Sequence, residues 1–227
     1  MRLALLMVVG GALPALAAGL GGEVRVDPLT LAQAKAQLQS WISAADLPDE
    51  LAADLSARLA ELPDWTPLPL LGGWAGVTAG PVEFNAGAAL ITDDLLRRAG
   101  LWPEHGVVVA DPGLTADAQL MAYHFELGAT LGLDLGLVLV GLESGADLAG
   151  GRMRLWLDSE LADQPAALPG EVTWSSVGVH LGLRVEVGIP LLRLFARGGA
   201  LAQVSRWSGC PLAVGPWYGA VGLAVRF

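Results

Sequence analysis

From Met121 to Leu139 apolar and polar residues alternate strictly. Met121, Tyr123, Phe125, Leu127, Ala129, Leu131, Leu133, Leu135, Leu137 and Leu139 occupy the odd positions. The even positions include His124, Glu126, Gly128, Thr130, Gly132, Asp134 and Gly136. A period of two puts one set on each face of a strand and has no helical reading. As a single strand the segment would run roughly 60 Å at about 3.3 Å per residue. A strand crossing a bilayer needs only about 9–11 tilted residues. A turn is therefore expected near Gly132-Leu133-Asp134, with an odd-numbered loop, because a two-residue loop would invert the parity of the apolar face.

The same alternation recurs. In 152–161, Met153, Leu155, Leu157 and Leu161 oppose Arg152, Arg154, Asp158 and Glu160. In 177–189, seven apolar residues from Val177 to Ile189 oppose Gly178, His180, Gly182, Arg184, Glu186 and Gly188. Leu70–Ala79, Val82–Ile91 and Trp217–Phe227 complete the series. The stretches 144–151 and 162–170 read as loops, and Gly198-Gly199 as a tight turn. Eight to ten strands are expected, with the strand domain over 67–227.

Helical spacing is confined to short stretches. Asp27-Pro28 opens a helix-forming segment, and a second begins at Asp46, with Leu51, Leu55, Leu59 and Leu62 on one stripe. These form a helical arm over 19–66. TDDLLRRAG at 92–100 reads as a third, short helix, with Thr92 as cap and Gly100 as stop. Met1–Ala18 has a cation at Arg2, an apolar stretch and a small-x-small end at Ala15-Leu16-Ala17, the layout of a cleaved export signal. No later segment reads as a membrane-spanning helix.

Composition narrows the function classes. A formal net charge of -10 over 227 residues excludes the cationic surface that nucleic acid requires. Cys210 is the single cysteine, so neither an internal disulfide nor a cysteine zinc site is available, and no role is assigned to it. Mean hydropathy is +0.52, high for a soluble chain.

Alternation alone does not say which face is wet. The polar faces are rich in glycine, which suits a narrow enclosed interior better than a solvated exterior. Trp74, Trp156, Trp174, Trp207 and Trp217, with Tyr218, fall near strand ends, as an interfacial aromatic girdle would. The chain closes on alternating Val221, Leu223, Val225 and Phe227. The combination of Gly222, Val225 and terminal Phe227 resembles the C-terminal strand signal of small bacterial outer-membrane β-barrel proteins, although Ala220 stands where that family usually has a polar residue. The resemblance implies an antiparallel transmembrane barrel in the outer membrane. It also implies a lipid bilayer as surroundings and handling by the barrel-assembly machinery, with a structural or narrow-pore role. The helical arm would then lie in the periplasm, where it could meet a partner.

On that reading His124, Glu126, Asp134, Arg152, Arg154, Asp158, Glu160, His180, Arg184 and Glu186 line the lumen. Gly222, Val225 and Phe227 form the assembly signal. No catalytic residue, metal ligand or cofactor site is assigned. Two alternatives stand beside it. One is a secreted soluble barrel with an apolar ligand inside. The other is a lipid-modifying barrel enzyme built on His124 or His180, with Ser175 or Ser176 close by in sequence.

Overall fold

The computed structural model describes residues 16–30, 32–44, 49–61, 65–100, 107–110, 114–159, 171–189, 191–207, 210–213 and 217–227. Met1–Ala15 and Glu160 lie outside them. Among the described residues there are ten strands and three helices. The strands are β1 (Leu16–Thr30), β2 (Trp65–Ala79), β3 (Val82–Thr92), β4 (Val107–Ala110), β5 (Leu114–Asp134), β6 (Val138–Ser159), β7 (Glu171–Ile189), β8 (Leu192–Trp207), β9 (Cys210–Ala213) and β10 (Trp217–Arg226). The helices are α1 (Ala32–Ala44), α2 (Asp49–Glu61) and α3 (Asp93–Arg98).

Eight strands close into an antiparallel barrel in the order β1-β2-β3-β5-β6-β7-β8-β10, with β10 pairing both β8 and β1. The seam runs from Gly19 opposite Arg226 to Val26 opposite Gly219. Ala18 and Phe227 exchange backbone hydrogen bonds of 3.2 and 2.8 Å beyond it. β4 continues the wall beside β5, and β9 does so beside β8. Each takes over where β3 or β10 has ended.

The two ends of the barrel differ. At one, β2–β3 turns at Gly80-Pro81 and β5–β6 at Gly136-Leu137, and β7–β8 closes with Ile189 opposite Leu192. Gly80 and Gly136 take φ of 63° and 91°, a backbone only glycine adopts without strain. The chain reaches β1 and leaves β10 at this same end. The other end carries every long connection, including the α1–α2 hairpin between β1 and β2.

Four expectations need correction. The reading that starts the barrel at residue 67 and ends the export signal at residue 18 omits β1, which already begins at Leu16 and whose Leu20 and Val24 face out while Glu23 and Arg25 face in. The alternation there is short and follows a long apolar stretch of sequence, which hides it. The two helices form, but inside the β1–β2 connection and not as an arm ahead of the barrel. The β5–β6 turn lies beyond Asp134 and has a two-residue tip, Leu135 N–H donating to Val138 O at 2.8 Å, so parity flips. β6 also runs unbroken through 144–151, and β8 through Gly198-Gly199.

Candidate functional site in the barrel interior

The apolar side chains point outward. Phe125 is 49% exposed and Leu181 56%, whereas their neighbours His124 and Arg184 are 1% exposed. Leu127, Leu131, Leu142, Val177, Val179, Leu183, Val221 and Leu223 extend this belt around the circumference. A closed antiparallel barrel, apolar outside and ionic inside, is of the outer-membrane transmembrane type, since closure satisfies every backbone group and the belt meets acyl chains. The soluble alternative required the reverse orientation.

The interior is filled in layers. Nearest the tight turns, Arg184, Arg193 and Arg226 meet Glu83, Asp134 and Glu186. Arg226 Nη1 lies 2.7 Å from Glu83 Oε2, Arg184 Nη2 2.9 Å from Glu186 Oε1, and Arg193 Nη2 2.9 Å from Asp134 Oδ2. Three cations balance three anions.

Above them Trp74 and Phe195 meet edge to face at 6.1 Å. The Arg184 guanidinium sits 4.2 Å from the Trp74 ring centre, a favourable cation–π placement.

The middle layer is the densest. Arg25, with no exposed surface, reaches Asp27 at 2.8 Å, Glu126 at 2.5 Å and Asp147 at 3.3 Å, so it ties β1 to β5 and β6 across the lumen. Arg197 from β8 holds Glu23 and Glu126, each at 2.6 Å. Asp147 accepts from both histidines, His124 Nε2 at 2.9 Å and His180 Nδ1 at 2.6 Å. Nδ1 of His124 lies 2.8 Å from Asp27. Tyr218 donates to Glu143, and the Arg25 guanidinium stands 4.9 Å from the tyrosine ring centre.

The topmost layer is apolar. Leu70, Ala89, Ile91, Leu120, Ala122 and Trp174 point inward, and Leu96 of α3 packs onto them with Leu68, Leu95 and Met153 at the margin. α3 is placed by its own ends. Thr92 Oγ1 accepts the Leu95 N–H at 3.3 Å, and Asp93 Oδ1 accepts the Leu120 N–H at 3.4 Å, fastening the helix to β5. The helix that the capping pattern predicts is thus a lid over the mouth.

Glycines create the room for these side chains. A Cβ on Gly145 would stand 2.7 Å from His180 Cε1, and one on Gly87 2.9 Å from Glu126 Cγ. One on Gly128 would stand 2.9 Å from Asn85 Oδ1. Such distances are below any real Cβ contact.

The structure distributes the lumen candidates unevenly. His124, Glu126, His180, Arg184 and Glu186 are inside and buried, Glu126, Arg184 and Glu186 in ion pairs and both histidines against Asp147. Asp134 is half exposed at the tight-turn rim, where it receives the Gly136 N–H at 2.8 Å and Arg193. Arg152 and Arg154 are corrections, since both lie on the outer face and are exposed. The parity flip at the β5–β6 turn makes even positions of β6 face out. Beyond the belt polarity inverts, because Met153 is needed by the apolar lid layer. The Asp158 side chain and Glu160 lie outside the described residues. Trp74, Trp174 and Tyr218 are buried within the barrel, so they form no girdle.

Sequence reasoning missed Glu23, Arg25, Glu83, Glu143, Asp147, Arg193 and Arg197. Arg193 and Arg197 share an inward face with Phe195, a signal that strand parity could have given. Asp147 falls in the 144–151 stretch that reads as a loop.

Ser176, on the face of His180, donates its hydroxyl to Ala149 O at 3.4 Å, and Ser175 faces out. His124, Glu126 and Asp147 bring ligand atoms within 4.8 Å of one another, a spacing that would suit a cation. The Arg25 guanidinium already binds two of the three, Glu126 at 2.5 Å and Asp147 at 3.3 Å.

No family model matches the chain, and comparison with curated proteins found no match. Among solved structures the chain is similar to Ail, the attachment invasion locus protein of Yersinia pestis, at 8% identity and a TM-score of 0.46, covering 95% of this chain and 100% of that one. It is also similar to a major outer membrane protein from Thermus thermophilus, at 12% identity and a TM-score of 0.45, covering 92% and 99%. Neisserial surface protein A follows at 12% identity and a TM-score of 0.39, covering 92% and 95%.

Proposed function

We propose that this protein is a non-conducting outer-membrane barrel, a sealed membrane anchor whose work is done at its long-connection end. The observation that carries the reading is Arg25, wholly buried at mid-lumen and bonded across the barrel to Glu126 and Asp147. In a barrel of eight strands the interior is only wide enough for side chains, and here the layers on either side of Arg25 fill it.

Ions would have to break paired charges in a low-dielectric interior and then cross the apolar layer under α3, which favours the structural role over the narrow pore. Barrels of this type keep short turns in the periplasm and long loops outside. By that rule the α1–α2 hairpin lies on the cell exterior, and a periplasmic partner for it is not expected. Phe227, exposed on the lipid side and bonded to Ala18 across the seam, is placed to serve as the handle by which assembly machinery receives the last strand.

Planar-bilayer recordings test the proposal. Purified protein, folded as judged by heat-modifiable gel migration, is expected to give no stepwise conductance at about 100 mV. A reproducible open channel from such protein would overturn it.

A further inference from the structure

The tight-turn end of the barrel is as apolar as its wall. On β5 the outward series Phe125, Leu127, Leu131 and Leu133 runs into the turn, where Leu135 and Leu137 are exposed. On β7 the series Leu181, Leu183, Val187 and Ile189 continues to Leu191 and Leu192. Among the described residues Asp134 is the one charged side chain exposed at this end, and Arg193 and the Gly136 N–H hold it. The backbone of the turns is likewise satisfied from within. Leu135 N–H donates to Val138 O, and Gly136 O accepts from Arg193 Nη2 at 2.9 Å. The carbonyls of Pro81, Leu137 and Leu191 each accept an N–H from the strand beyond their own hairpin, Gly132 at 2.8 Å, Gly188 at 2.9 Å and Arg226 at 3.1 Å. Water satisfies such groups at an ordinary exposed turn, whereas hydrocarbon satisfies none.

The height of the belt fixes where the bilayer stands. On β7 the polar outward residues end at Ser175, and 177–189 then covers roughly 28 Å along the membrane normal, at about 3.3 Å per residue and a tilt of about 45°. On β5 they end at Gln119, and 121–135 covers roughly 33 Å on the same terms. The apolar layer of a bilayer is about 25–30 Å thick, so the belt spans all of it. Its lower edge, at Ile189 and Leu135, meets the boundary between acyl chains and headgroups. We propose that the tight-turn end is itself a lipid-binding surface. Leu135, Leu137 and Leu191 enter that boundary in the leaflet on their side, and the barrel ends there flush with the bilayer. The inference rests on the membrane reading above. Continuity with the belt on two separate hairpins selects lipid over a protein partner, which would meet one side of the rim.

Spin-label accessibility in phosphatidylcholine vesicles tests this, with Cys210→Ser as background and a water-soluble nickel chelate on both sides of the membrane. Nitroxides on Leu135→Cys and Leu191→Cys are expected to prefer collision with oxygen over the chelate, as a mid-belt label on Leu181→Cys does. A label on Ala44→Cys, exposed on α1, should prefer the chelate. Turn labels that follow Ala44→Cys would overturn the proposal. So would turn labels shielded from both reagents and broadened by a neighbouring spin, the mark of a second copy. A chelate preference at Leu181→Cys would instead refute the membrane reading itself. Stability gives an independent measure. Leu135→Ser and Leu191→Ser should each lower the folded-to-unfolded ratio in vesicles roughly ten-fold, the worth of partly burying one leucine. A change below about two-fold, as for a side chain in water, would overturn the proposal.

Discussion

Replacing Arg25 by Met removes the cation that three carboxylates share, at 2.8 Å from Asp27, 2.5 Å from Glu126 and 3.3 Å from Asp147. Removing one partner of a buried ion pair costs about 3–5 kcal/mol, because the remaining charge is left desolvated and unpaired. Here the residual charges are partly covered: Arg197 still holds Glu126, and both histidines still hold Asp147. Loss of the contact with the Tyr218 ring adds about 0.5–2 kcal/mol. A destabilisation near the lower end, about 3 kcal/mol, is expected. The assay is urea unfolding in phospholipid vesicles, followed by tryptophan fluorescence, with heat-modifiable migration confirming the folded state. A cycle with Glu126→Gln sharpens the attribution. If Arg25 acts through Glu126, the double variant should be less destabilised than the sum of the singles by about 1 kcal/mol or more. An R25M barrel within about 0.5 kcal/mol of the parent, or strict additivity in the cycle, would refute the view that this arginine organises the middle layer.

Two further outcomes follow from the packing and the seam. Gly145→Ala should cost about 1–3 kcal/mol in the same unfolding assay, since the new methyl meets His180 and, at 2.9 Å, the Gly128 Cα. Gly132→Ala, whose methyl would meet only the Leu139 side chain at 3.5 Å or more, should stay within about 0.5 kcal/mol, and equal costs for the two would contradict the account of the glycines. Phe227→Asp should lower the yield of heat-modifiable barrel in cell membranes several-fold while the same chain still folds from urea into detergent; undiminished yield in cells would remove Phe227 from the assembly step.

Much of the barrel was legible because lipid on one side and a narrow lumen on the other impose a period of two on every crossing strand. β3, β7 and β10 lie where the alternation puts them, and α3 lies where Thr92, the paired acids and Gly100 place it. What failed did so where the environment changes. β1 was hidden because Gly19, Gly21 and Gly22 dilute its pattern beside the apolar stretch that precedes it. On β6 the apolar residue faces lipid at Leu148 but the lid layer at Met153, so the reader who keeps the greasy side outward turns Arg152 and Arg154 the wrong way. The interior network was half visible. Residues on long clean strands, such as His124 and Arg184, could be assigned by parity, whereas Asp147 sits in a stretch of glycine and serine that looks like a loop. Which acid meets which base is set by strand tilt and register, quantities absent from any single segment.

The seam has a consequence for how the molecule is made. β1 finds its second neighbour only in β10, with Gly19 and Arg226 brought together from nearly opposite extremes of the chain. Until that contact forms, two strands present bare edges, each unpaired peptide group costing several kcal/mol in hydrocarbon. A partly threaded intermediate therefore has no comfortable place in the bilayer, and pairings between such distant segments are slow to form. Insertion of this chain should be nearly all-or-none, with its rate set by the meeting of those two edges and not by growth of the hairpins between them.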